Sequence, residues 1–215
     1  MRPRALAPVH CAVIVALLTI AGACGGQEAT PPVPTPIQAT ATLTPAAPTP
    51  TQASGSPTAA STGAFSIYDN PTYGIRIEYP SEWTRQDQLV GTVVAFLSPR
   101  ESSEDFITNL SILVQDLSAQ PMTLDEFTDQ ILGRIAQFVT DSVILDSSPV
   151  TLGGSPGHKA VFTGKQGNYD TQSMQVWTVK GDKAYLILFV TEASEYPALE
   201  ATAQEMIDSF EFTGQ

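Results

Sequence analysis

The chain has 215 residues, 42% of them hydrophobic and only 15% charged, with 22 Asp and Glu against 10 Lys and Arg for a formal net charge of −12. That length allows one domain of ordinary size with appendages, or two small ones. So acidic a sequence speaks against nucleic acid as a partner, because that affinity comes from Lys and Arg displacing phosphate counterions, and it disfavours anionic lipid headgroups for the same reason.

The first segment reads as an export signal. Arg2 and Arg4 supply a positive start, and residues 11–23 form an apolar run interrupted only by Thr19. As a helix that run reaches about 20 Å, short of the roughly 30 Å hydrocarbon core of a bilayer, so a permanent span is not expected. It ends in Ile20-Ala21-Gly22-Ala23-Cys24, which resembles the lipobox of bacterial lipoproteins, with Ala21 in place of the commoner Leu. Small side chains suit a narrow peptidase groove, and the Cys24 thiolate is the nucleophile that would accept diacylglycerol. Cleavage would leave residues 1–23 as signal peptide and Cys24 as the lipidated N-terminus. Two acyl chains suffice for stable anchoring, which places the protein at the cell membrane on its extracytoplasmic face. Cys11 and Cys24 are the only cysteines, so the folded region is expected to hold no disulfide, thiolate metal site or thiol nucleophile.

Residues 24–64 form a linker. From Gln27 to Ala64 there are eight Pro, nine Thr and a single charged residue, Glu28. Such a stretch cannot bury enough apolar surface to offset its ordering entropy and is expected to be disordered. It would span about 35 Å as a coil and up to about 120 Å as polyproline II, enough to hold a domain away from a membrane.

Residues 65–215 then make one domain, with 21 of the acids and eight of the bases. Its length is enough for one core without covalent staples. Period-two alternation predicts strands at 65–68, 73–79, 92–97, 109–116, 143–146 running on to 150–152, 159–163, 173–179 and 184–190. Tyr73, Ile75, Ile77 and Tyr79 share one face of the second strand, and Pro80 ends it. Lys180-Gly181-Asp182 joins the last two strands as a hairpin.

Two segments switch to helical spacing. Leu124, Phe127, Ile131, Ile135 and Phe138 recur at three and four residues, and Thr123 with Glu126 makes a capping box. Asp125 and Glu126 suit the positive end of that helix. A second helix is expected over about 194–210, with Tyr196, Leu199, Ala203, Ile207 and Phe210 inward and Pro197 in its first turn. Two helices are too few for a doubly wound parallel sheet, so the expectation is α+β: an antiparallel β-sheet flanked by helices.

Several of these residues carry a resemblance. Tyr73-Gly74-Ile75-Arg76-Ile77-Glu78-Tyr79-Pro80 followed by Trp83, Phe96-Leu97-Ser98-Pro99, Asn109-Leu110-Ser111-Ile112-Leu113-Val114, Gly157-His158-Lys159-Ala160-Val161-Phe162, Tyr185-Leu186 and Ser209-Phe210 are similar, in that order, to the PsbP family. That family is named for the extrinsic oxygen-evolving subunit of photosystem II and includes many bacterial lipoproteins. The resemblance covers nearly all of residues 65–215. It implies an α/β/α sandwich and a role in binding or assembly rather than catalysis. It also raises a photosystem-associated, calcium-binding role as an alternative. The linker lacks the basic residues of the photosystem subunit's N-terminal binding segment, so docking to a photosystem does not carry over.

Catalytic and metal chemistry find few candidates. His158 is the only histidine beyond the signal, so a His-based triad has one possible base and a two-His metal site has none; at a strand start it reads as a surface or sheet-edge residue. Gly153-Gly154-Ser155-Pro156-Gly157 lacks the ending of a phosphate loop and reads as a tight connection. Glu101, Glu104 and Asp105 cluster three carboxylates of the kind calcium prefers, without the central Gly of a twelve-residue calcium loop, so a solvated acidic loop is the reading. Asp69, Glu78, Glu82 and Asp87 lie around Trp83 in sequence, which keeps open a carboxylate-based hydrolase with Trp83 stacked on a sugar; a packing role for Trp83 is the simpler expectation. The reading is therefore an exported, lipid-anchored, non-enzymatic module that requires no cofactor and binds a protein partner.

Overall fold

The computed structural model describes residues 63–87, 89, 91–99 and 106–214. The signal peptide, Cys24, nearly all of the linker, and the acidic residues Glu101, Glu104 and Asp105 lie outside the described residues. The elements in order are β1 (Phe65–Asn70), β2 (Ile75–Pro80), β3 (Thr84–Asp87), β4 (Val94–Leu97), β5 (Asn109–Asp116), α1 (Leu124–Phe138), β6 (Thr140–Leu152), β7 (Ser155–Gln166), β8 (Tyr169–Lys180), β9 (Lys183–Glu192), α2 (Tyr196–Asp208) and β10 (Glu211–Phe212).

Seven strands form one sheet in the order β3-β4-β5-β9-β8-β7-β6, and β1-β2-β10 form a second. Every pairing is antiparallel. The β6–β7 turn has Gly153 and Gly154 both at positive φ, 55° and 76°, the backbone that lets a two-residue turn follow the strands' twist. Gly181 at φ 62° does the same between β8 and β9, as the sequence predicted.

Alternation along the strands sends side chains to two cores. On one face Val94, Phe96, Leu110, Ile112, Val161, Met174, Val176, Ile187 and Phe189 pack with Tyr68, Ile75 and Ile77 of the small sheet and with Tyr196, Ala203, Met206 and Ile207 of α2. On the other, Ala160, Phe162, Trp177, Ala184 and Leu186 pack with Phe127, Ile131 and Ile135 of α1. The expected helix-flanked antiparallel sheet is met in part. One face is covered by α1, but the opposite face is shared between α2 and the three-stranded sheet, because the buried alternation of β1 and β2 makes that hairpin a cover for the large sheet.

The helix α1 begins as its sequence dictates. Thr123 Oγ1 accepts from the Glu126 amide at 3.2 Å, and Glu126 Oε2 accepts from the Thr123 amide at 2.8 Å. Other expectations shift. Phe138 is 48% exposed, since the helix ends there and the extended Val139 takes the inward position. Tyr73 falls in a turn closed by Asn70, whose Oδ1 accepts from the amides of Thr72 and Tyr73 at 3.1 and 3.3 Å. β6 runs unbroken, with two register shifts, between Thr140 and Val143 and between Ile144 and Asp146. Pro149 is tolerated because β6 is an edge strand. The polar β3 and the two-residue β10 were not predicted.

Candidate functional site

The electrostatic surface is the feature the fold builds most clearly. Arg76 of β2 ties its small sheet together: Nη2 meets Asp69 Oδ2 at 2.8 Å across to β1, and Nη1 meets Glu211 Oε1 at 3.0 Å across to β10. These hydrogen bonds, Asp69 first and Glu211 next, raise the guanidinium's pKa further above its ordinary value. Arg85 pairs with Asp87 at 2.9 Å and lies 4.5 Å over the Tyr68 ring. Lys159 pairs with Asp146, Lys165 with Asp170 and Lys183 with Asp182. Lys180 Nζ sits 4.0 Å above the Phe212 ring. These cations already have partners.

The acidic surplus is concentrated at the end of the chain. From residue 184 to residue 215 there are six carboxylates, Glu192, Glu195, Glu200, Glu205, Asp208 and Glu211, and no Lys, Arg or His. Helix α2 buries Tyr196, Thr202, Ala203, Met206 and Ile207, which leaves Glu200, Glu205 and Asp208 exposed on its outer side. The exposed Glu78 adjoins this region: Ser209 Oγ accepts from the Glu78 amide at 2.8 Å, joining β2 to the end of α2. Burial and the nearby Glu200 carboxylate raise the pKa of the Tyr196 hydroxyl well above its ordinary value, so it stays neutral. The missing signal in the sequence was simple, since no base follows Lys183.

His158 lies within β7, between β6 and β8, rather than at a strand start or sheet edge. Its Nε2 is 2.9 Å from Ser147 Oγ, and its ring stacks on Trp177 at 5.2 Å. Trp177 in turn donates from Nε1 to Thr128 Oγ1 of α1 at 2.9 Å. This is a packing relay from a half-exposed histidine into the core. Trp83 is 6% exposed and belongs to the core, so it offers no open face to a sugar. Of the carboxylates near it in sequence, Asp69 and Asp87 are held by Arg76 and Arg85, while Glu78 and Glu82 point to solvent. The sequence neighbours are not brought together. Among the described residues no group of three or more His, Cys, Asp or Glu is arranged to hold a metal ion, and no helix is long and apolar enough to cross a membrane.

Fold and surface together define an α+β domain whose antiparallel sheet carries α1 on one face and a small sheet with α2 on the other. The family model PsbP matches residues 63–212; the chain belongs to the PsbP family. Among solved structures it is similar to cyanobacterial PsbP from Synechocystis, at 14% identity and TM-score 0.53, over 72% of this chain and 97% of that one. It is also similar to LpqN of Mycobacterium tuberculosis, a protein involved in cell envelope biogenesis, at 11% identity and TM-score 0.48, over 71% and 86% of the two chains. At such identities the likeness is one of fold. Comparison with curated proteins gave no match.

Proposed function

We propose that the protein is an exported lipoprotein, anchored at the extracytoplasmic face of the cell membrane through Cys24, whose PsbP-like domain acts as a non-catalytic binding or assembly module for a cationic protein partner. The observation that carries the reading is the carboxylate face of α2, where Glu200, Glu205 and Asp208 are exposed in a stretch with no base after Lys183. A surface of one sign attracts and orients an oppositely charged partner before contact. The tether of residues 24–64 would let the domain search the space beside the membrane, and no cofactor enters this reading.

The test is affinity capture with the intact protein and with a Glu200→Lys, Glu205→Lys double variant. A basic protein retained by the parent and lost both from the variant and at raised salt supports the reading. Identical captured sets from the two proteins would overturn it.

A further inference from the structure

The large sheet ends on one side at β3, four residues long and bearing Arg85, and on the other at β6, thirteen residues long. Strand β6 carries no Lys or Arg, the residues that most often keep sheet edges apart. Its middle is apolar and open: Val143 is 57%, Ile144 41% and Leu145 54% exposed, and Phe138 at the end of α1 is 48% exposed. Four of the six large hydrophobic residues exposed among the described residues therefore fall within eight positions of the chain.

Charge singles out the same place. Residues 140–166, the β6–β7 hairpin, hold two acids, Asp141 and Asp146, and two bases, Lys159 and Lys165. The hairpin is neutral in a domain with 21 acids and eight bases, and Lys159 is paired with Asp146 inside it. A cationic partner gains little here, whereas an equally acidic second copy meets less repulsion here than at the acidic end of the chain. The local sequence is also self-complementary. Antiparallel pairing about a two-fold axis at Ile144 sets Val143 against the second copy's Leu145 and Ser142 against Asp146. No carboxylate then faces a carboxylate, as cross-strand pairing requires, and the contact is isologous. One register shift precedes this stretch, between Thr140 and Val143, and the other falls within it at Leu145, so the contact is short and centred on Val143 and Ile144.

We infer that β6 is a homodimer surface, on which a second copy of this chain pairs edge to edge through Val143, Ile144 and Leu145 and covers Phe138. The inference does not depend on the membrane anchor or on the acidic face of α2.

Sedimentation velocity of the full chain at rising concentration should report a monomer–dimer equilibrium, and Ile144→Lys should abolish the dimer with thermal melting unchanged. Under mild oxidation Ile144→Cys should give a cross-linked dimer above the background of the native cysteines, while Thr151→Cys, exposed on the same strand, should not. A wild-type chain that stays monomeric at its highest soluble concentration, a dimer that survives Ile144→Lys, or equal cross-linking at both cysteine positions would overturn the inference.

Discussion

Gly157 is a residue whose type is set by its neighbour on the next strand. A Cβ there would sit 2.6 Å from the Trp177 carbonyl oxygen, and a backbone atom locked in the β7–β8 ladder cannot move aside. Gly157→Ala is expected to cost about 1–3 kcal/mol, in the range of other overpacked sites, read as a lowered urea midpoint. Trp177 is fully buried and gives its only side-chain N–H to Thr128. Trp177→Phe strands that hydroxyl without its donor and should lose about 1–3 kcal/mol; equilibrium denaturation measures it, and an unchanged midpoint would show that the hydrogen bond contributes nothing net. Acid sensitivity belongs to this scale too. Hydrogen bonds from the Thr123 backbone and then its side chain hold the Glu126 carboxyl below its ordinary 4.5. The Ser148 hydroxyl and then Lys159 hold Asp146 below its ordinary 3.8. Groups with lowered values add stability that is complete above the ordinary value and disappears as pH falls through the lowered one. Stability should therefore be level near neutrality and decline below about pH 4.5, and Thr123→Ala should flatten the Glu126 part of that decline in a pH series of melts.

At the scale of elements, the helix α1 was legible down to its first residue because its cap is a local interaction. Thr123→Ala should cost about 1 kcal/mol, a fall in Tm of about 2–4 °C for a domain of this size, with the fold retained by circular dichroism. The hairpins β6–β7 and β8–β9 were legible for a related reason: Gly153, Gly154 and Gly181 supply positive φ values that other residues resist. The β3 and β10 strands were not legible. Their sequences, Thr-Arg-Gln-Asp and Glu-Phe, carry no alternation, and they are strands only because β4 and β2 offer them a partner edge. His158 was misplaced at a strand start because the glycine-rich stretch before it looks like loop, yet Ser155 to Gly157 already pair with β6.

The molecule as a whole is a study in uneven charge. With Arg76, Arg85, Lys159, Lys165 and Lys183 in ion pairs and the last 32 residues free of bases, the acidic end stands apart from the neutral β6–β7 hairpin. Reversing Glu200 and Glu205 should weaken partner binding with a reduced dependence on salt, because fewer opposite charges are then screened. The anchor is tested separately. Cys24→Ala should move the protein from the membrane fraction to the medium or the soluble extracytoplasmic fraction, and undiminished membrane retention would sink the lipid-anchor proposal without touching the fold.

What the sequence by itself determined was whatever depends on neighbours along the chain: the alternation of β2, β5, β8 and β9, the capping box and inward stripe of α1, the turn glycines, and the order of motifs that resembles the PsbP family. Only the tertiary structure decided that the β1–β2 hairpin closes one face of the large sheet beside α2, that Trp83 is core, that Arg76 reaches Glu211, 135 positions along the chain, and that β6 is left as an open edge. Those outcomes turn on which surfaces meet across long separations in sequence, and burial, not local pattern, selects among them.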